Sequence, residues 1–347
     1  MKYQATWMVQ RQKLPLEVKI IMSQNRIREW YNHFNGNVYL SFSGGKDSTV
    51  LKHIIENTSG VYDIPCVFVD TGLEYPEIRQ FVESRKDNGD KIEIIKPTMS
   101  FKQVLKKYGY PVISKEVSRR VQYAKKAIAE NRADNHGDYL KLCGLSLDKN
   151  GNKSQYNCEK WKFLLDAPFN CSSECCNIIK KNPLKQYEKK TGRVPFIATM
   201  ASESRLRLEK WVQYGCNSFE AKHKSSQPIS FWTKQDILEY IMKYNLDYAP
   251  IYGEIVRNKD GTYHTTSVDR TGCMFCMFGC HLEKPENRFQ KLAKTHSKLY
   301  NYCINGGEVV DDIWQPSKDG LGLGKVLDYI GVNYKPIKNP RKLFELK

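Results

Sequence analysis

The sequence predicts an α/β fold built on a parallel sheet, and three observations carry the prediction. Val38–Leu40, Cys66–Asp70, Ile92–Ile95 and Phe196–Thr199 are short apolar runs of strand length, without the polar alternation of a half-exposed strand. Segments of helical period separate them, such as Val50, Leu51, Ile54 and Ile55 after the first run. The runs also end in polar or glycine-containing loops, Ser43–Ser48, Asp70–Gly72 and Lys96–Thr98, and in parallel sheets ligands bind beyond those carboxyl ends.

The elements follow in order. Residues 1–34 form an N-terminal helical extension, with Val18, Ile21, Met22, Ile27 and Trp30 as its apolar face and Asn35-Gly36-Asn37 as its stop. The principal domain spans 35–282. Its helices include one after Pro76, one near Phe101–Lys107 and one over Cys175–Tyr187; around 115–170 the pattern becomes irregular and reads as an insertion. A short strand from Pro228 leads to a helix capped by Thr233, with Asp236 completing a short-armed capping box. Residues 283–347 form a C-terminal extension of small helices around Leu292 and Val326 with a basic tail.

Length and composition fit a globular chain: 347 residues, 40% hydrophobic and 27% charged. No apolar run approaches the roughly 18 residues of a membrane span, and the N-terminus lacks a secretory pattern, so a cytoplasmic protein without membrane partners is expected. The 55 Lys and Arg against 38 Asp and Glu, a net charge of +17, favour polyanions such as DNA or RNA beside an adenine nucleotide. Lys115, Arg119, Arg120, Lys125 and Lys126 share a predicted helix and are the expected approach for such a partner. In a cytoplasmic chain the 11 cysteines point to metal binding or catalysis before disulfides.

The loop after the first strand, Ser43-Gly44-Gly45-Lys46-Asp47-Ser48, combines two conformationally free glycines, a cation and a carboxylate at a helix N-terminus, the makings of a phosphate site. Leu40 stands where a Walker A loop needs glycine and Asp47 follows the lysine, so that motif is excluded. Cys273-Met-Phe-Cys276 and Cys175-Cys176 supply four thiolates, a donor set for zinc or iron–sulfur.

In order, SGGKDS (43–48), VFVDTGLEYPE (67–77), CCNIIKKNPL (175–184), ATMASESRLR (198–207), PISFWTKQDILEYI (228–241) and RTGCMFC (270–276) resemble the phosphoadenylyl-sulfate (PAPS) reductase family of the ATP pyrophosphatase (PP-loop) superfamily. The resemblance implies an adenine nucleotide alpha hydrolase-like parallel sheet with helical and irregular additions. It implies nucleotide contacts at Ser43–Ser48, at Asp70, Thr71 and Gly72, and at Glu203, Ser204, Arg205 and Arg207, and a 4Fe-4S cluster on Cys175, Cys176, Cys273 and Cys276, with zinc as the alternative. Cys143, Cys158, Cys171 and Cys280 remain as extra or substitute ligands or as a persulfide-carrying nucleophile, with Cys280 the first choice for the latter.

Two departures direct the functional expectation. Sulfonucleotide reductases resemble one another in a degenerate phosphate loop and a C-terminal Glu-Cys-Gly-x-His segment. This chain keeps the full loop and has only Cys303 after residue 281, without the flanking Glu, Gly and His. It is therefore similar to ATP-dependent sulfurtransferases, including the enzyme of DNA phosphorothioation, in which Lys46 and Asp47 would act on ATP and Mg²⁺ and a sulfur-donor protein would take part. A sulfonucleotide reductase and a non-catalytic iron–sulfur protein binding nucleotide or nucleic acid are the alternatives.

Overall fold

The computed structural model describes residues 3–336 and divides the chain into two compact units, each assembled from separate stretches. The first takes the chain up to Asp70, Glu74–Pro97 and Asn182–Thr271; the second takes Thr71–Leu73, Thr98–Lys181 and the chain from Gly272 on.

In the first unit strands Ile92–Ile95, Cys66–Val69, Val38–Ser41 and Val194–Ile197 lie side by side in that order, all parallel. Leu40 stands opposite Cys66 on one side and Phe196 on the other. Val38, Tyr39, Leu40, Val67 and Phe68 are buried whichever way they point, which is why these strands read as unbroken apolar runs. Tyr39, Val67 and Tyr187 form a cluster joined by Ile95 and Leu184. The fourth strand starts earlier than the sequence suggested, because the Val194 N–H donates to the Asn37 carbonyl and Arg193 reaches the Val38 carbonyl at 2.9 Å. It ends where the Thr199 N–H turns back onto Ile197. Among the described residues, Ile92–Ile95 pairs with a strand on one side only.

The helix Leu16–His33 forms, but not with the face expected. Leu16, Ile20, Ile27 and Trp30 are buried together with Lys19 and Ser23, while Val18 and Ile21 are exposed. Two polar partners turn it. Lys19 Nζ donates to both Asp236 oxygens at 2.8 Å, and Ser23 Oγ accepts from Trp232 Nε1 and donates to the Pro228 carbonyl, both at 3.0 Å. Burying an ammonium is tolerable only with such a partner, and removing either member of a buried pair costs about 3–5 kcal/mol. Asp236 also accepts the Thr233 N–H in the capping box that starts helix Lys234–Tyr244. The short strand expected after Pro228 is instead a turn: Ser230 N–H donates to Gln227 and Trp232 N–H to Ile229, and Ile229, Phe231 and Trp232 are all fully buried.

The second unit is organised by the stretch Tyr110–Ile113. Val112–Ile113 pairs in parallel with Met277–Phe278, and Tyr110 bridges to Cys171, so the segments that carry the two cysteine pairs meet on one short stretch. Gly109 precedes it with φ +102, and a Cβ there would stand 2.3 Å from the Asn170 carbonyl oxygen, so only glycine admits this approach. Helix Lys115–Ala129 follows, capped by Ser114. Its cationic face is smaller than expected. Arg120 is buried, paired with Glu116 and bonded to the Tyr156 carbonyl, and Lys125 Nζ donates to the Ala167 and Phe169 carbonyls at 2.8 and 3.0 Å. Lys115, Arg119 and Lys126 stay exposed.

Helices Arg288–Thr295 and Leu323–Tyr329 form around Leu292 and Val326. A hairpin, Glu308–Val310 with Ile313–Gln315, was not foreseen; its turn places Asp311 and Asp312 at φ 50° and 61°. The basic tail lies outside the described residues, among which no helix is long and apolar enough to cross a membrane.

Candidate functional site

Two sites take shape, one in each unit. In the first unit the glycine loop sits between strand Val38–Ser41 and helix Lys46–Glu56. Gly44 has φ +70, and a Cβ on it would lie 2.7 Å from Val82 Cγ2 and 3.0 Å from Ile78 Cγ2. The serines wind the loop on itself. Ser48 Oγ accepts the Ser43 N–H at 3.2 Å and donates to the Gly45 carbonyl at 2.8 Å, and Ser43 Oγ accepts the Gly45 N–H at 3.3 Å.

Lys46 is not a solvated loop lysine: it is 4% exposed, donates to the Asp269 carbonyl at 2.7 Å and stands 5.0 Å over the Tyr252 ring. Burial pulls its pKa down, against the opposing pull of Asp47 and Asp269. Asp47 is pushed up by burial, and its Oδ1 is buried without a hydrogen-bond partner. A buried carboxylate oxygen with nothing to accept from fits a site that takes a metal-bearing or protonated ligand group. The loop opens on a cavity of about 350 Å³ lined by Ser43, Gly45, Lys46, Asp47, Ala198, Thr199, Glu203, Arg207, Tyr252, Arg270 and Thr271.

Of the residues in the Glu203–Arg207 segment, Glu203 and Arg207 face this cavity. Ser204 caps helix Arg205–Tyr214, and the Arg205 side chain is 91% exposed against Glu209. Asp70 is buried at the end of its strand, 3.5 Å from Arg79 and 4.0 Å from Lys96. In the second unit Thr71 Oγ1 accepts the Leu73 N–H at 3.2 Å, and Gly72, at φ +72, borders open space. Sequence reasoning missed Tyr252, Asp269, Arg270 and Thr271. Arg270 and Thr271 open the RTGCMFC motif, in which only the two thiols stand out as candidate site residues.

The second site is a small cleft lined by Cys175, Cys176, Cys273 and Cys276 with Leu73, Phe101, Pro111, Ile179 and Lys180. Cys175-Cys176 leads into a π-helical turn, Asn177–Lys181, a widening of the helix often found at functional sites. Ile113 holds φ 61°, a costly conformation for a β-branched residue, on the stretch where the two cysteine segments meet. The hydrogen bond between the adjacent thiols splits them: Cys176 is driven down, helped by Lys115 and Lys180, and Cys175 is driven up. Burial raises Cys276, opposed by Arg288.

Four thiols line one cleft, and Lys115, Lys180 and Arg288 act on their charge, the donor chemistry a thiolate-held centre would need. Among the described residues no three His, Cys, Asp or Glu side chains stand together closely enough to chelate an ion, so the donors are gathered but not closed. Cys280 does not line the cleft; it is 1% exposed, with its thiol pushed up to about 12 by burial. Cys171 is likewise buried and pushed to about 12, Cys158 accepts from Arg120 at 3.2 Å, and Cys143 is hydrogen-bonded to Tyr139.

A parallel sheet whose first strand ends in a self-bonded glycine loop, opening on a cavity that holds Lys46, Arg207 and Arg270 beside Asp47 and Glu203, defines the class as α/β. The chain belongs to the phosphoadenosine phosphosulfate reductase domain family, whose model matches residues 37–145 and 136–278. Members of the family are enzymes, reductases or sulfurtransferases. An uncharacterised protein of Methanocaldococcus jannaschii is 22% identical over 290 residues; these cover 84% of this chain and 52% of that protein, so the chain spans about half the length of the curated relative it matches. Among solved structures, the PAPS reductase of Candida auris in a phosphate complex aligns with a TM-score of 0.36 at 15% identity, over 69% of this chain and 89% of its own. The U34-tRNA thiolase of Methanococcus maripaludis, solved with its 4Fe-4S cluster, aligns with a TM-score of 0.34 at 14% identity, over 67% of this chain and 66% of its own.

Proposed function

We propose that this chain is an ATP-dependent sulfurtransferase that adenylates an oxygen of a nucleic-acid acceptor and replaces the resulting AMP with sulfur. The observation that carries the reading is the phosphate loop: intact in sequence, wound by its own serines, and opening on a cavity that already holds a buried lysine and an unpartnered carboxylate oxygen. In the first step the acceptor oxygen attacks the α-phosphorus and pyrophosphate leaves. Lys46 and the N-terminus of its helix would stabilise the charge that gathers on the departing phosphates, and Asp47 would be the residue to hold Mg²⁺ there. Mg²⁺ needs only one or two protein carboxylates when phosphates complete its shell, so a single free carboxylate oxygen suffices.

Cys175, Cys176, Cys273 and Cys276 would hold the iron–sulfur centre, which when bound supplies redox-active iron and sulfide beyond the reach of side chains alone. Lys115, Lys180 and Arg288 would offset the thiolate charge. Sulfur would arrive from a donor protein, and Cys280, whose thiol burial pushes up to about 12, would need opening to act as the carrier.

The family description favours one second reading, a sulfonucleotide reductase that releases sulfite from an adenylyl-sulfate. One experiment separates the two. Labelled ATP is incubated with the anaerobically purified protein, Mg²⁺ and DNA or RNA: AMP and pyrophosphate, stimulated by one nucleic acid, support the proposal, whereas thiol-dependent sulfite from adenylyl-sulfate without ATP replaces it with the reductase. Nucleic-acid binding through cations such as Lys115, Arg119 and Lys126 should weaken steeply as salt rises, and salt-independent binding would remove the nucleic-acid acceptor.

A further inference from the structure

The phosphate cavity holds a second cationic element that the loop motif does not include. Glu203 is fixed by the backbone, its Oε2 accepting the Met200 N–H at 3.1 Å, and its side chain is only 13% exposed. Onto this one carboxylate converge two guanidiniums, Arg207 on Oε2 and Arg270 on Oε1. Arg207 comes from the helix that follows Glu203, Arg270 from the far end of the unit, beside the Asp269 carbonyl that receives Lys46. Without the carboxylate between them, two like charges so close would repel and splay.

Each guanidinium has five N–H donors in a planar fork, and Glu203 engages only part of that set. The rest remain available in the cavity, where the Arg207 and Arg270 side chains are 42% and 60% exposed. Lys46 faces the same space. Three cations held in place against Glu203 and Asp47 suit a ligand with several adjoining negative charges better than a monophosphate, and paired forks match phosphate oxygens bidentately.

We propose that Arg270, with Arg207, grips the terminal phosphates of a nucleoside triphosphate, so that it sets preference for a triphosphate over a monophosphate, and that Glu203 is the positioning residue that aligns the two forks. This rests on the nucleotide reading above and extends it to a residue and a division of labour that the loop does not contain. Glu203 itself then contacts the arginines and not the nucleotide.

The test is isothermal titration of the full-length protein with ATP, AMP and inorganic pyrophosphate. In Arg270→Ala, affinity for ATP and pyrophosphate should fall about tenfold, the worth of a charge-assisted hydrogen-bonded contact, while AMP affinity stays within about twofold. Arg270→Lys should recover part of the loss, since the charge returns without the fork. Glu203→Gln should also weaken ATP and pyrophosphate several-fold, although it makes the cavity more positive. That sign distinguishes alignment from plain charge: if Glu203→Gln tightens ATP, the carboxylate only repels the ligand and the positioning role is wrong. Equal losses for AMP and ATP in Arg270→Ala would mean a general structural role, and unchanged ATP affinity in that variant would end the inference while leaving nucleotide binding intact. A wild-type protein that binds neither ATP nor pyrophosphate would overturn the nucleotide reading and this inference together.

Discussion

The phosphate loop and the cysteine cleft were equally plain as motifs, yet they reach the folded chain in different conditions. The loop is finished without a ligand: serine hydroxyls bond its own backbone, Gly44 is packed against Ile78 and Val82, and Lys46 is buried on the Asp269 carbonyl. The cleft is lined by four thiols, but no three of the described donors stand close enough to chelate. A loop of backbone amides can be completed by hydrogen bonds within the protein, whereas thiolates repel one another until a cation draws them in. On the reading proposed above, the loop is the preorganised site, and the cleft is the one whose order would depend on its occupant.

The sharpest way to break this contrast is to remove a thiol. Serine at Cys175, Cys176, Cys273 or Cys276 should abolish the brown colour and iron content of anaerobically purified protein while leaving ATP affinity unchanged. A colourless wild-type protein with stoichiometric zinc would reject the iron assignment. Next in size, Lys46→Ala should lower the rate of AMP formation by about 10²–10³-fold, as expected for losing one preorganised charge at a departing group, with iron content intact. Normal turnover in that variant would show that the loop is a relic. Gly44→Ala should be smaller but felt twice: the left-handed backbone and the contacts with Val82 and Ile78 together should cost about 1–3 kcal/mol in urea unfolding, with weaker ATP binding. An unchanged unfolding midpoint would argue against a rigid loop. The smallest effect belongs to Arg205→Ala, about twofold or less in ATP affinity, because that side chain points to solvent and pairs only with Glu209.

What the sequence made legible was local. The apolar runs became the four parallel strands, and the spacing in Cys273-Met-Phe-Cys276 placed both thiols on one cleft. What it hid was set by partners far along the chain. Helical period alone offered Val18 and Ile21 as core, and the Lys19 pair with Asp236 turned the helix away from them. Arg120 and Lys125 read as surface charge because nothing nearby in sequence announces the Tyr156 carbonyl or the carbonyls of Ala167 and Phe169 as their partners in space. The far wall of the phosphate cavity, Tyr252 with Asp269–Thr271, lies more than half the chain away from the loop it completes, and no motif at Ser43–Ser48 points to it.

The strand Ile92–Ile95 has one further consequence, for life in a crowded solution. Among the described residues no strand pairs with its outer edge, the kind of edge to which a second chain could add in runaway self-association. Three features blunt it. The strand is only four residues long, Glu93 points outward from its middle, and Lys91 and Lys96, with side chains 67% and 69% exposed, stand at its two ends. An incoming strand would have to strip water from those charges to dock. The lysines thus act as gatekeepers, and replacing both with threonine should appear as concentration-dependent light scattering before any loss of nucleotide binding.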